Sequence, residues 1–418
     1  MNTRQLSEAI LDGGIRSNNF FNGRLLSAED LSGEQQANRS GHQALGQSVG
    51  DGIAYGLEVS KANQAGNDPI VSVQPGLAIN RYGDTLRLNT ATDVSLVRPA
   101  ESLSLPAAAQ AGFNACQPLQ TGSYVTGAGV YLLVLCPAQG REGRALIGGL
   151  NNNASGCNTR FIVDGVKFRL IQLDLTPSEL NDADHLRNTV AYKCFGASDM
   201  KSLISDPFRT HPEGNGLLDR LRPSRLTDCD VPLAVLHWSG TGGIRFVDMW
   251  SARRPTVRAS IDGRWNGIAG ERRASEAEAM FLQFADQLDA LRIVNPEGVV
   301  ASQYFRYLPP VGVLPLARPG AVRGFNYWKF FEQRVYRGPI FIEGSRVEAL
   351  IRRGMSYAPI DLNNGEMVWL YVVRETYDPR AFSPGPTPFE YVVFASGHIP
   401  FHGEALYNVA RWNYSNYS

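Results

Sequence analysis

Lysine is almost missing from this chain. It stands only at positions 61, 167, 193, 201 and 329, and arginine fills the other 35 basic positions. Arginine loses less on desolvation and offers paired donors to carboxylates, which suits protein interfaces; a GC-rich coding sequence would produce the same bias. An excess of either charge is also missing. Forty basic and forty acidic residues cancel, and neither sign runs in blocks, so attraction to nucleic acid or to an anionic membrane is not expected. Long apolar runs are absent too. Gly129 to Cys136 and Val231 to Leu236 fall far short of the roughly 20 residues that cross a bilayer, so no membrane span is expected. The first twenty residues carry Glu8, Asp12 and Gly13-Gly14 and no apolar core of a signal peptide, which implies synthesis in a bacterial cytoplasm.

Cysteine is scarce and unpatterned. Cys116, Cys136, Cys157, Cys194 and Cys229 are odd in number, widely spaced and without a CxxC pair, which speaks against a disulfide framework or a zinc site and for mostly buried thiols. Nucleotide-binding glycine loops, a GxSxG elbow, an HExxH helix and an EF-hand loop are all lacking, so no cofactor is expected. His398 and His402 are four apart, but Pro400 between them disfavours a helix, and no metal site is assigned. Glu375 with Asp378, or Glu343 with Glu348, could in principle serve glycosidic acid/base chemistry, yet such pairs are most often solvated surface. Asp248 in "FVDMW" and Asp262 in "DGRW" read as buried polar anchors that meet an arginine or backbone donors. No catalytic residue is assigned, and the chain is expected not to be an enzyme.

What is present is enough apolar material for real cores: 418 residues, 43% of them hydrophobic. The pattern is α+β and β-rich, with several small β modules of short antiparallel strands and a few helices. Residues 1–49 read as an N-terminal arm and a polar helix. Ser27 three residues before Asp30 marks the helix start, and polar residues follow to about Val49. Its apolar positions are sparse (Leu26, Leu31, Ala37, Ala44, Leu45), and Gly33 and Gly41 weaken it by up to about 1 kcal/mol each, so contacts outside the helix must hold it. Residues 50–100 form a small β module with strands at 53–60, 70–74, 77–79 and 85–88, and residues 101–128 a linker or long loop.

A β-rich central domain is expected over 129–270, with strands at 130–136, 161–166, 168–175, 233–238 and 244–249, the last two joined as a hairpin through Gly240 to Gly243. Within it, 177–192 reads as helical. An amphipathic helix falls within 271–299: Ser275 and Glu278 form its capping box, and Ala277, Met280, Phe281, Phe284, Leu288 and Leu291 repeat at three and four residues, a stripe suited to a core. The aromatic-rich segment 300–418 is expected to be α+β, with a short helix at 347–353, a hairpin turn at Asn364-Gly365 and strands at 367–373 and 391–394.

Five stretches carry a resemblance. "FFNGRLLSAEDLSGEQQANRSGHQALGQSVGDGIAYGLEVS" and "IVSVQPGLAINRYGDTLRL", through residues 20–26, 34–35, 52–58 and 71–83, resemble an N-terminal module found in proteins of extracellular contractile injection systems and related phage-tail-like particles. "VPLAVLHWSGTGGIRFVDMWSARRP" is similar to a hairpin of the same family, and "PPVGVLPL" and "VVFASGHIPFHGEALYNVARWNYSNY" look like its C-terminal segments. The family helix is usually richer in Tyr, His and Leu, and its strand often carries Cys where Tyr55 stands here.

The resemblance implies a non-enzymatic structural part, attached at or around the baseplate as a cage-like or crown-like layer, a homo-oligomer of threefold or sixfold symmetry, with other particle subunits (baseplate, sheath or tube-end proteins) as partners. Phe20, Phe21 and Leu25 would then enter a neighbour's apolar pocket and Arg24 would bond its rim, while Trp412, Tyr414 and Tyr417 would make wet contacts. The competing expectation is that Phe20, Leu25 and Leu26 staple the N-terminus onto the β module of the same chain. A different function, a fibre or receptor-binding module, would use Tyr327, Trp328, Trp369 and Tyr371 to stack on surface glycans.

Overall fold

A computed structural model describes residues 15–23, 25–62, 69–96, 129–146, 157–197, 216–222, 224–239, 243–257, 270–292, 296–317, 324–336, 339–376 and 389–399. Arg24, Asp262, Asp378, His402, Trp412, Tyr414, Tyr417 and the expected linker at 101–128 lie outside them. The fold is α+β and rich in small, mainly antiparallel sheets.

The chain enters through helix α1 (Ala28–Val49) and then makes two three-stranded sheets. Strands β1 (Gly52–Gly56), β4 (Gly76–Ile79) and β5 (Thr85–Leu88) form one; β2 (Val59–Lys61), β3 (Ile70–Val73) and β6 (Thr92–Ser95) form the other. The single strand expected over 53–60 is divided because Leu57 turns the backbone to a φ of 60°, fully buried, so β1 and β2 can join different sheets.

Four antiparallel strands make the central sheet in the order β10 (Gly243–Asp248), β9 (Val231–Ser239), β7 (Gly129–Leu146) and β8 (Cys157–Gln172). The period of two sorts the faces of β7. Tyr131, Leu133 and Leu135 join Ile53, Leu57, Val71 and Val73 in one core, while Val130, Leu132 and Val134 pack with Leu186 and Val190 of helix α3 (Ala183–Cys194) in another. Helix α2 (Pro177–Asn181) precedes α3, so the helical segment expected over 177–192 is two helices meeting at Asp182. The two strands expected at 161–166 and 168–175 are one. Gly165 lies opposite Ala138 without breaking the ladder, and pairing continues from Tyr131–Gln172 to Leu146–Cys157. The far part of this ribbon runs past β9, which pairs with β7 only through Leu135, and leaves Phe161, Ile162 and Val163 exposed.

After helix α4 (Leu217–Arg220) and the β9–β10 hairpin comes the long helix α5 (Glu271–Leu291). It begins four residues before Ser275, with Gly270 at its N-cap, and Ser275 is buried rather than capping. Its stripe is core as expected: Met280, Phe284 and Leu288 are buried. Around Phe284 gather Phe305, Phe330 and Phe394, with ring centroids 5.3 to 6.4 Å apart. Among the described aromatics of the C-terminal part, Phe305, Phe325, Tyr327, Phe330, Phe331, Tyr371 and Phe394 are therefore interior.

The C-terminal part contains helix α6 (Ala301–Tyr304), helix α7 (Tyr327–Phe331) and helix α8 (Val347–Gly354). Its sheet has the order β12 (Val311–Pro315), β16 (Tyr391–Ser396), β15 (Val368–Val373) and β13 (Ile340–Ile342), the last parallel to β15. A two-stranded pair joins β11 (Tyr307–Leu308) to β14 (Ile360–Asp361). Asn364-Gly365 is consequently not a hairpin turn, because β14 and β15 take different partners. Asp361 accepts from the Asn363 N–H at 3.1 Å and from the Asn364 side chain at 3.0 Å, and Gly365 closes that local turn at a φ of 66°.

Among the described cysteines, Cys136 and Cys194 are buried free thiols; burial pushes Cys194 up to about 12. Cys229 is disulfide-bonded, an exception to the mostly buried thiols that were expected; spacing reveals no pairing between distant cysteines. Among the described residues, no helix is long and apolar enough to cross a membrane.

Asp248 is the buried anchor that its setting suggested. Fully excluded from solvent, it accepts from Arg187 Nε at 2.9 Å, Gln283 Nε2 at 3.1 Å and the Ser251 N–H at 3.0 Å. Arg187 also reaches Asp286, which is 47% exposed. Asp248→Ala is predicted to cost about 3–5 kcal/mol in urea unfolding, because it strands a buried guanidinium, whereas Asp286→Ala should cost less than about 1 kcal/mol. Equal losses would contradict this account.

Candidate assembly surface

The N-terminal arm and α1 stand out because their apolar side chains are not covered. Phe20 and Phe21 are exposed, Phe21 at 62%; Leu25 is 93% exposed, and Leu26 is exposed beside it. They do not staple the arm to the β module. The arm instead folds back onto α1 through polar groups: the Asn18 N–H donates to Glu34 at 3.3 Å, and the Asn18 side chain donates to the Asp30 carbonyl.

Helix α1 starts where the sequence marks it. Ser27 Oγ accepts from the Asp30 N–H at 3.2 Å, and Asp30 accepts from the Ser27 N–H at 3.0 Å, a complete capping box. The Ser27 hydroxyl and the backbone of the first turn also hold the Glu29 carboxyl below its usual range.

Only Gly46 of this 22-residue helix is buried. It sits on Gly83 so closely that a Cβ at Gly46 would meet the Gly83 carbonyl at 2.2 Å, and a Cβ at Gly83 would meet the Gln43 carbonyl at 2.0 Å. Gly83 has a φ of +83°, which also favours glycine. Around this seat Gln43 donates to Asp84 at 2.8 Å, Arg39 lies 3.6 Å from Asp84, and Gln47 donates to the Tyr82 carbonyl at 3.4 Å. Asp84 is fixed by its own turn, its N–H donating to Asn80 Oδ1 at 2.9 Å. These polar ties run from Arg39 to Gln47, so the helix is fastened through its C-terminal half. Asn18 and Gly46 carry no signal in the sequence, and Gly83 reads there only as part of the Tyr82-Gly83-Asp84 turn; the approach of two glycines distant in sequence leaves no local pattern.

Other candidate groups lie elsewhere. Tyr327 and Tyr371 are buried, and Trp369 stacks on Tyr336 at 4.6 Å while its indole N–H donates to the Ile399 carbonyl, so Trp328 alone of the four proposed sugar-stacking rings is openly exposed. Glu375 accepts from the Gly344 N–H at 2.9 Å, and Glu348 pairs with Arg352 on an exposed helix face. None of Glu343, Glu348 and Glu375 lines either of two cavities formed among the described residues. The larger, about 450 Å³, lies between α5 and the β12/β16 edge and is lined mainly by Phe281, Phe284, Leu288, Val313, Pro315 and Tyr391. Among the described residues no group of three His, Cys, Asp or Glu side chains is placed to hold a metal.

The smaller cavity, about 260 Å³, is polar and contains His185. Its Nδ1 faces Asp182 at 2.9 Å and its Nε2 faces the Ser302 carbonyl at 2.9 Å, so both ring nitrogens meet acceptors and the imidazolium satisfies both. Partial burial opposes that charge, but the Ser302 carbonyl, Asp182 and Asp184 outweigh it and raise the His185 pKa. Glu179 and Arg306 line the same cavity.

No protein-family model matches the chain, and no curated protein matches it. Among solved structures, a crystal structure of TssK aligns with 69% of this chain and 53% of its own, at 9% identity and a TM-score of 0.26. The chain thus spans about half the length of that protein, and so loose a superposition carries no argument about function.

Two predictions follow from this geometry. Gly83→Val should unseat α1, read as faster proteolysis between Leu31 and Val49 with the central sheet still protected; unchanged cleavage would show that the glycine contact does not hold the helix. For His185, a pKa raised in the folded state adds stability that is full below the unfolded pKa and lost as pH rises through the folded one. The stability difference between wild type and His185→Gln should accordingly be larger near about pH 5 than near about pH 9; a pH-independent difference would remove the imidazolium.

Proposed function

We propose that this chain is a structural subunit of a contractile injection system or phage-tail-like particle, attached at or around the baseplate. It acts through self-association and contacts with baseplate, sheath or tube-end subunits, not as an enzyme, and as a homo-oligomer of threefold or sixfold symmetry. The observation that carries the reading is the N-terminal arm: Phe20, Phe21, Leu25 and Leu26 lie exposed together on the segment whose sequence resembles the particle-protein module. A monomer gains nothing by exposing four such side chains in one stretch, whereas a neighbour's pocket would turn them into anchors. Arg24, Trp412, Tyr414 and Tyr417 belong to the same proposal as rim and tail contacts. The glycan-binding reading finds little support in an aromatic set that is mostly turned inward.

The test is retention on sedimented particles in the native cells, with the deletion strain as reference. The paired variant Phe20→Ala/Phe21→Ala should keep its fold, since both rings are exposed, and lose retention by about thirtyfold or more, equivalent to about 2 kcal/mol. A variant that stays folded and is incorporated normally would overturn the anchor role. Wild-type protein that never sediments with sheathed tubes would overturn the function.

A further inference from the structure

Helix α1 carries a second pattern besides its seat. Leu31, Gln35, Asn38, His42, Leu45 and Val49 follow one another at intervals of four, three, four, three and four residues, and all six are exposed. At about 100° per residue they fall within about 40° of one line along the helix. The side that meets the body, from Arg39 through Gln43 to Gly46, lies roughly 100° round from that line, so the seat does not cover it. Leu45, 65% exposed, shows how open the line is.

We infer that α1 associates in parallel with α1 of other copies of this chain, along the seam of Leu31, Gln35, Asn38, His42, Leu45 and Val49. The inference deepens the assembly reading above and takes its setting from it: it names which surface self-associates and what covers it.

The alternating three and four spacing is that of a coiled-coil seam. Parallel alignment is self-complementary at each level. Leu31 meets Leu31, Leu45 meets Leu45 and Val49 meets Val49, while Asn38 meets an amide that can donate and accept in return. Antiparallel alignment centred on the seam would instead set Leu45 against Gln35 and Asn38 against His42. Charge points the same way. Glu34 and Arg39 flank the seam on opposite sides, and a parallel copy brings the Glu34 of one helix towards the Arg39 of the next. Their bonds to Asn18 and Asp84 lie at the margin of this surface and place both side chains beside it. The polar centre of the seam lowers its strength and fixes its register, which suits a helix that must align copies. A helix with Gly33 and Gly41 whose seat on the body lies in its C-terminal half also has little to hold its N-terminal half without lateral contact.

The test uses the full chain with a single cysteine introduced at Leu31→Cys or at Ala44→Cys, an exposed position on the far side of the helix, and the wild type as the thiol background. Under mild oxidation Leu31→Cys should form a covalent dimer in high yield, and Ala44→Cys at least tenfold less. Sedimentation velocity should give a multiple of the chain mass for wild type and the monomer mass for Leu45→Asp, with unchanged circular dichroism. Equal cross-linking at the two positions, or a Leu45→Asp variant of unchanged mass, overturns the seam. Cross-linking only when Leu31→Cys is mixed with Val49→Cys overturns the parallel arrangement. The two levels separate cleanly. A chain that associates through α1 yet never sediments with particles removes the particle function and keeps the seam. A chain found on particles with Leu31→Cys uncross-linked there removes the seam and keeps the function.

Discussion

A carboxylate with no access to water holds the middle of this protein together. Asp248 sits at the end of β10, and a charge in that position is tolerable only if donors surround it. They come from three places: Arg187 on α3, Gln283 on α5 and the backbone of the turn at Ser251. One charge therefore fixes two helices against the central sheet, and α5 in turn carries Phe284 into the aromatic core of the C-terminal part. Neighbouring guanidinium groups extend the same logic. Arg254 lies over the Phe195 ring at 5.0 Å, Arg272 joins Asp219 and Glu276, and Arg273 donates to the Tyr357 carbonyl. Part of the preference for arginine over lysine is thus spent inside the fold, where planar, weakly hydrated donors are needed.

Much of this architecture was readable from pattern. The apolar run Val130 to Cys136, the apolar stripe of α5, the capping box at Ser27 and the β9–β10 hairpin each announce themselves within a few residues. The misread places share a cause, since each depends on partners distant in sequence. Gly165 looks like a break until β7 is seen to pair through it, and Asn364-Gly365 looks like a hairpin until β14 is seen to belong to β11. Ser275 resembles a cap but lies inside a helix that begins at Glu271 without a side-chain cap. The C-terminal aromatics admitted a glycan-stacking surface as the alternative to a core, and burial of most of the described rings between Phe305 and Phe331 decides for the core.

The candidate surface was legible only in outline. The sequence shows that α1 is too polar to be stable alone and that Phe20 and Phe21 precede it, but whether they pack on the chain's own body depends on tertiary geometry. The structure leaves them outside. The seat itself, Gly46 on Gly83 with Gln43 and Asp84 beside it, joins positions about forty residues apart through the absence of side chains, and an absence has no periodicity. His185 and Ser302 are a similar case, brought together from 117 positions apart.

The seat has a mechanical consequence. A helix of 22 residues is about 33 Å long, and the ties between Arg39 and Gln47 span about 12 Å of it. The remainder projects like a lever beyond its bearing. Play of about 1 Å across the bearing becomes about 2 Å at the tip near Ala28. The arm that carries Phe20 and Phe21 is thus mounted where small movements at the seat are amplified, and its exposed rings sweep a wider range than the seat itself.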